Sequence, residues 1–136
     1  MKSEELYQEI ILEHWRNPKN FGTLENPTIS YRDSNPSCGD IVQIEMKINN
    51  DKKIEEVKFN GSGCIISQAA AEMLTEHAKG RKIEEIKDIS RDEVINMLGI
   101  ELSGMRIKCA LLPMKVIKCG VYNYLGRKLE EEDDRA

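Results

Sequence analysis

Residues 41–48 alternate more strictly than any other stretch of this chain. Val42, Ile44, Met46 and Ile48 fall on one side, and Ile41, Gln43, Glu45 and Lys47 on the other. Side chains of an extended strand point to opposite faces in turn, so this is a strand with one apolar face, and that face must be covered. Two partners lie close by. Residues 29–33 read as a strand before it, and residues 54–60 as one after it, with Ile54, Val57 and Phe59 as core positions. Asn49-Asn50-Asp51 supplies the turn between the second and third strands. The simplest arrangement is an antiparallel meander of about three strands.

The cover has to come from helices on either side of the meander. Leu6, Ile10, Ile11 and Trp15 recur at helical spacing, Ser3 is placed to cap their helix, and Asn17-Pro18 stops it. Residues 64–77 carry Ile65, Ala69, Met73 and Leu74 among small residues, which suits a helix lying flat on a sheet and closed by Gly80. Residues 83–89 suggest a short helical turn. Ser90-Arg91-Asp92-Glu93 has the form of a capping box for another short helix ending at Leu98-Gly99. A last helix is expected from about Cys109 to about Tyr124, with Pro113 in its first turn and an acidic, frayed tail over 128–136. The fold class is therefore α+β: a small antiparallel sheet with helices packed on one face and an N-terminal helix. Residues 1–136 read as a single domain, long enough to bury a core without disulfides.

The chemistry is carried by cysteines in three loops. Asn35-Pro36-Ser37-Cys38-Gly39-Asp40 sets a thiol and a carboxylate two positions apart on a tight turn. Cys64 follows Gly61-Ser62-Gly63, and Cys109 follows Arg106-Ile107-Lys108. An acidic start without a basic then apolar leader, and no apolar run of spanning length, lead us to expect a cytoplasmic protein with no membrane partner. Thiols stay reduced there, so the 4 cysteines point to metal or redox chemistry more than to disulfides. A net charge of −4 gives no reason to expect nucleic-acid binding. Cys38 and Asp40 fall at a strand entrance, with Cys64 and Cys109 at helix N-termini, where the macrodipole favours negative charge. Three thiolates and one carboxylate can close a tetrahedral shell on Zn²⁺ or supply the outer ligands of a [2Fe–2S] cluster. Cys119 stands ten residues beyond Cys109 on the same helix, roughly 15 Å along its axis, and is read as a structural thiol. His14 and His77 lack a ligand partner at metal spacing and are read as surface or packing residues.

The three cysteine motifs, with His14-Trp15-Arg16-Asn17-Pro18-Lys19-Asn20-Phe21-Gly22 ahead of them, resemble those of the iron–sulfur cluster scaffold family, the group of IscU, the NifU N-terminal domain and SufU. The resemblance covers nearly the whole chain. It implies a non-enzymatic scaffold that builds a [2Fe–2S] cluster from iron and from persulfide sulfur delivered by a pyridoxal-phosphate cysteine desulfurase, then passes it to apo iron–sulfur acceptor proteins. It further implies Cys38, Asp40, Cys64 and Cys109 as ligands of the iron or cluster, Cys109 as persulfide acceptor, and Asp40 as the residue that keeps the site labile. A homodimer sharing a cluster is one arrangement it allows. Lys108 stands where the scaffold branch carries His, as in the SufU-like branch, and is an accessory candidate. Ser103-Gly104-Met105-Arg106-Ile107 replaces the Leu-Pro-Pro-Val-Lys element of the scaffold branch. The SufU-like branch has an insertion between the second and third motifs for which this chain has no room, which favours the scaffold. The alternatives are a zinc-dependent sulfurtransferase accepting persulfide on Cys109, with zinc in the same site, and a structural zinc interaction module.

Overall fold

The structure is a computed structural model that describes residues 3–36 and 39–135, with side chains from residue 5 to residue 126. Helix α1 (Ser3–Arg16) is followed by strands β1 (Ile29–Asn35), β2 (Asp40–Ile48) and β3 (Ile54–Ser62). Helices α2 (Ile65–Ala78), α3 (Ile83–Lys87), α4 (Arg91–Leu98) and α5 (Gly104–Arg135) complete the chain. The strands form one antiparallel sheet in the order β1-β2-β3. Each strand extends by two residues or fewer beyond the span read from its sequence. The turn at Asn49 is fastened by its own side chain, whose Oδ1 accepts the amides of Asp51 and Lys53.

Pairing brings the apolar alternation into register. Ile29 lies opposite Met46 and Tyr31 opposite Ile44, while Ile44 lies opposite Phe59 and Met46 opposite Val57. All of these except Tyr31 are essentially inaccessible. The face is covered by α2 and α5, which supply Ala71, Leu74, Ala78, Leu112, Val116, Ile117 and Val121 to the same core. Gly120 lets α5 sit close on β1, because a Cβ there would meet Ile29 Cγ2 at 2.9 Å. The outer edge of β3 is not left open. The Phe59 amide donates to Asn20 O and the Gly22 amide to Phe59 O, at 2.9 and 2.8 Å, so the segment after α1 pairs with the edge strand.

That segment is anchored by Glu72 of α2, a carboxylate 1% exposed that accepts the amides of Lys19 and Asn20 at 3.0 and 2.9 Å. Its partners lie more than fifty positions away in sequence, so nothing near residue 72 announces the role. Ser90 caps α4 as read, its hydroxyl accepting the Glu93 amide, and Gly99 ends that helix in the left-handed region.

Helix α5 departs from the sequence reading at both ends. It begins at Gly104, five residues before Cys109, which puts Cys109 past its first turn and Pro113 in its interior. Met105, Arg106 and Lys108 are exposed and give no apolar period to mark the start. At the other end the backbone is helical to Arg135, beyond the end expected near Tyr124, as suits a run of helix-favouring Arg, Lys, Leu and Glu with no breaker after Gly126. The side chains of that tail, and of Ser3, lie outside the described ones.

Replacing Glu72 with Ala should strand two amides against the helix bundle and lower stability by about 2–4 kcal/mol, the usual range for buried groups left without their partner. Urea unfolding followed by circular dichroism measures this, and a loss under 1 kcal/mol would show that the anchor is dispensable.

Candidate metal centre

Three of the four expected donors converge. Asp40, Cys64 and Cys109 each offer an atom within 4.8 Å of the others. Cys38 lies outside the described residues. Cys119 is not in the group: it stands beside Tyr31 and Lys115, and the nearby charge of its sulfur pushes the Tyr31 hydroxyl above its ordinary range. Lys115 reaches across to Asp33 at 2.8 Å, and their ion pair holds Asp33 below the usual carboxylate range. His14 approaches the Glu72 carboxylate at 3.9 Å, and His77 closes α2. Neither histidine joins the group.

Each donor is placed by its local structure. Asp40 opens β2, facing the covered side of the sheet, and is 3% exposed. Cys64 is the N-cap residue of α2, in extended backbone, and its sulfur accepts the Ser67 amide at 3.4 Å. That amide is one of the orphan donors that every helix start presents, so the sulfur sits at the positive end of α2. Cys109 lies on the second turn of α5, 3% exposed, among Ile11, Ile66, Ala69, Ala70, Leu98 and Ala110. It is therefore held by apolar packing and not by a helix N-terminus.

Asp40 and Cys64 are tied directly. The Cys64 amide donates to Asp40 Oδ1 at 3.0 Å, and the Cys64 thiol lies 3.4 Å from Oδ2. One carboxylate oxygen is thus held by backbone, while the other faces the sulfur. The approach depends on Gly63, where a Cβ would come within 2.7 Å of Oδ1 and 2.8 Å of the carboxyl carbon. Two sulfurs and a carboxylate oxygen suit an ion of borderline softness. A tetrahedral ion with bonds of about 2.0–2.3 Å holds its donors about 3.4–3.8 Å apart, so this spacing fits one metal shell after small adjustment.

Sequence reading missed how the site is built around the Cys64 amide and Gly63. The glycine was legible only as a turn residue. Lys108 is exposed and lines a separate cavity of about 300 Å³ with Pro36, Leu111, Leu112 and Lys115. Among the described residues no helix is long and apolar enough to cross a membrane.

The sequence pattern of the family described as NifU-like N terminal domain matches residues 6–131. The zinc-dependent sulfurtransferase SufU of Bacillus subtilis is 38% identical over 133 residues, covering 85% of this chain and 89% of that protein. The iron–sulfur cluster assembly scaffold protein IscU 1 of Archaeoglobus fulgidus is 34% identical over 122 residues, covering 90% of this chain and 78% of that protein. Among solved structures, a putative iron–sulfur cluster assembly scaffold protein for the SUF system from Fervidobacterium islandicum superposes with a TM-score of 0.73 at 29% identity. That superposition covers 88% of this chain and 99% of the other. The N-terminal part of a NifU-like protein from Brucella abortus shares the fold, with a TM-score of 0.73 at 18% identity over 90% of this chain and 96% of that one.

Gly63→Ala should fold normally, because the clash falls on a carboxylate that can turn away, yet weaken zinc binding about 10-fold or more by unseating Asp40. Competition with a chromophoric chelator measures the affinity, with Gly104→Ala, where a Cβ meets nothing within 4 Å, as control. Equal affinity in both variants would show that the cradle does not set the carboxylate.

Proposed function

This chain belongs to the NifU-like N-terminal domain family, and we propose that it is a scaffold on which a [2Fe–2S] cluster is assembled as cargo and passed to apo acceptor proteins. The observation that carries this reading is the convergence of Asp40, Cys64 and Cys109 within 4.8 Å of one another. Cys38, whose sequence position is two residues before Asp40, is the fourth donor. Iron and sulfur are the substrates, and the donors are their temporary ligands. The partners are a pyridoxal-phosphate cysteine desulfurase on the delivery side and apo iron–sulfur proteins, in the cytoplasm, on the receiving side.

Sulfur transfer needs no metal redox step. A site thiolate attacks the outer sulfur of the desulfurase persulfide, a new S–S bond forms, and the donor's cysteine leaves as thiolate. Cys109 is the residue on which that sulfur is retained for cluster building. Each such sulfur must then gain two electrons to become sulfide. Ferrous iron going to ferric supplies part of this, and a thiol or one-electron donor the rest. The spacing of the described donors is that of one ion, so a single iron is held by them first. Asp40 is a harder and weaker donor to iron than a fourth thiolate, which suits a cluster that must leave.

A second reading is favoured by the SufU relative and by Lys108 ahead of Cys109. In it the same donors hold zinc, and the protein relays persulfide sulfur as a sulfurtransferase. Against it, the alignment with that relative takes in only 85% of this chain over its 133 positions, so part of the aligned length has no counterpart here.

Anaerobic reconstitution with ferrous iron, cysteine and a cysteine desulfurase separates the two. Stoichiometric iron and acid-labile sulfide are expected in the wild type and in Cys119→Ser. They should be lost in Cys38→Ser, Cys64→Ser and Cys109→Ser, and Asp40→Ala should keep its cluster longer than wild type during chelator challenge. Tightly held zinc with no cluster formed would move the assignment to sulfur transfer.

A further inference from the structure

The three described donors differ sharply in access. Cys64 is exposed, whereas Cys109 is 3% exposed and Asp40 equally buried. A thiolate can attack a persulfide only by touching its outer sulfur. Cys109 is enclosed by side chains from α1, α2 and α4, chiefly Ile11, Ile66, Ala69 and Leu98. A persulfide carried on another protein's cysteine would have to part these helices to reach it. Cys64 imposes no such cost.

The surroundings of Cys64 favour approach. Its chain neighbour Gly63 lines an open cleft of about 480 Å³ with Trp15, Arg16, Phe21 and Gln68. Trp15 and Phe21 are 42% and 51% exposed there, apolar surface that a protein carrying the donor cysteine can bury. Meanwhile the Ser67 amide points at the Cys64 sulfur from the start of α2, a donor suited to a sulfur bearing negative charge.

Resting on the scaffold reading above, we infer that Cys64 is the entry thiol for incoming sulfur and that Cys109 receives it second, from Cys64. In the first step the Cys64 thiolate attacks the outer sulfur of the donor persulfide, giving Cys64–S–SH and the donor's thiolate. In the second, the Cys109 thiolate attacks that outer sulfur, giving Cys109–S–SH and restoring the Cys64 thiolate. Each step breaks one S–S bond and makes another, with no net oxidation or reduction. The two cysteine sulfurs lie within 4.8 Å, and the transferred sulfur sits one bond of about 2.05 Å from Cys64, so the relay spans the remaining gap without helix motion. Burial of Cys109 then protects the persulfide from thiols in bulk water.

The test uses the metal-free full chain mixed with a cysteine desulfurase preloaded with persulfide and, separately, with glutathione persulfide. Samples are quenched by alkylation from milliseconds to minutes and read by peptide mass. The earliest sulfur should be on Cys64, and in Cys109→Ser it should remain there. Cys64→Ser should slow loading of Cys109 by about tenfold or more, and because serine is itself a favoured N-cap residue this variant keeps its helix start. Earliest sulfur on Cys109 or Cys38, or unchanged loading of Cys109 in Cys64→Ser, would overturn the relay while leaving the scaffold reading intact. Absence of sulfur on every cysteine with both donors would overturn both.

Discussion

A sheet of three strands has one apolar face to bury, and everything around the site follows from how that face is shared. Helices α2 and α5 lie on it side by side, each leaving apolar residues in the same core. Gly120 sets the depth of α5 over β1, and the small residues Ala71 and Ala78 let α2 lie close in turn. With both helices seated, the start of α2 and the second turn of α5 meet at the end of the sheet where β2 begins. Asp40, the first residue of that strand, then has only one place to project. The donor set is thus a by-product of covering the sheet.

The part of this that could be read in advance was the part with a local signal. Strict alternation from Ile41 to Ile48 gave the meander, and glycines followed by small residues gave the start of α2 at Cys64. The start of α5 carried a weaker signal: Ser103 is a favoured N-cap residue, but Ser103-Gly104 reads equally as a break, no apolar stripe follows over residues 104–108, and Pro113 suggested a first turn where the chain has an interior one. Misplacing that start made Cys109 look like a helix-terminal thiol when it lies on the second turn, packed among apolar side chains. Glu72 was illegible for a different reason. Its partners are backbone amides, which every residue possesses, and only the folded chain says which ones a carboxylate will meet. Convergence of the three cysteine loops could be read from the residue types and their glycine-rich or charged neighbours, with the resemblance added to it, and the structure brings Asp40, Cys64 and Cys109 together.

Proline in a helix removes one donor from the ladder, and here it does so at a telling place. Pro113 cannot donate to the carbonyl of Cys109, four residues before it. The helix that carries this candidate donor therefore lacks one of the bonds that would stiffen the turn just after it. Apolar packing around Cys109 makes up for this on one side, through Ile66 and Leu98.

On the scaffold reading proposed above, a carrier has to bind firmly enough to assemble its cargo and loosely enough to release it, and the Asp40–Cys64 tie bears on both. Because the Cys64 amide holds Oδ1, the carboxylate is already oriented before any metal arrives, and little side-chain entropy remains to be lost on binding. The same bond keeps that oxygen engaged with backbone, so on that reading Asp40 would meet a metal chiefly through Oδ2, the oxygen facing the Cys64 sulfur. A donor that is preorganised but single-toothed favours rapid capture without adding a strong bond to break. Two features that oppose each other in a storage protein, ready binding and ready release, are in this way met by one backbone hydrogen bond and the glycine that makes room for it.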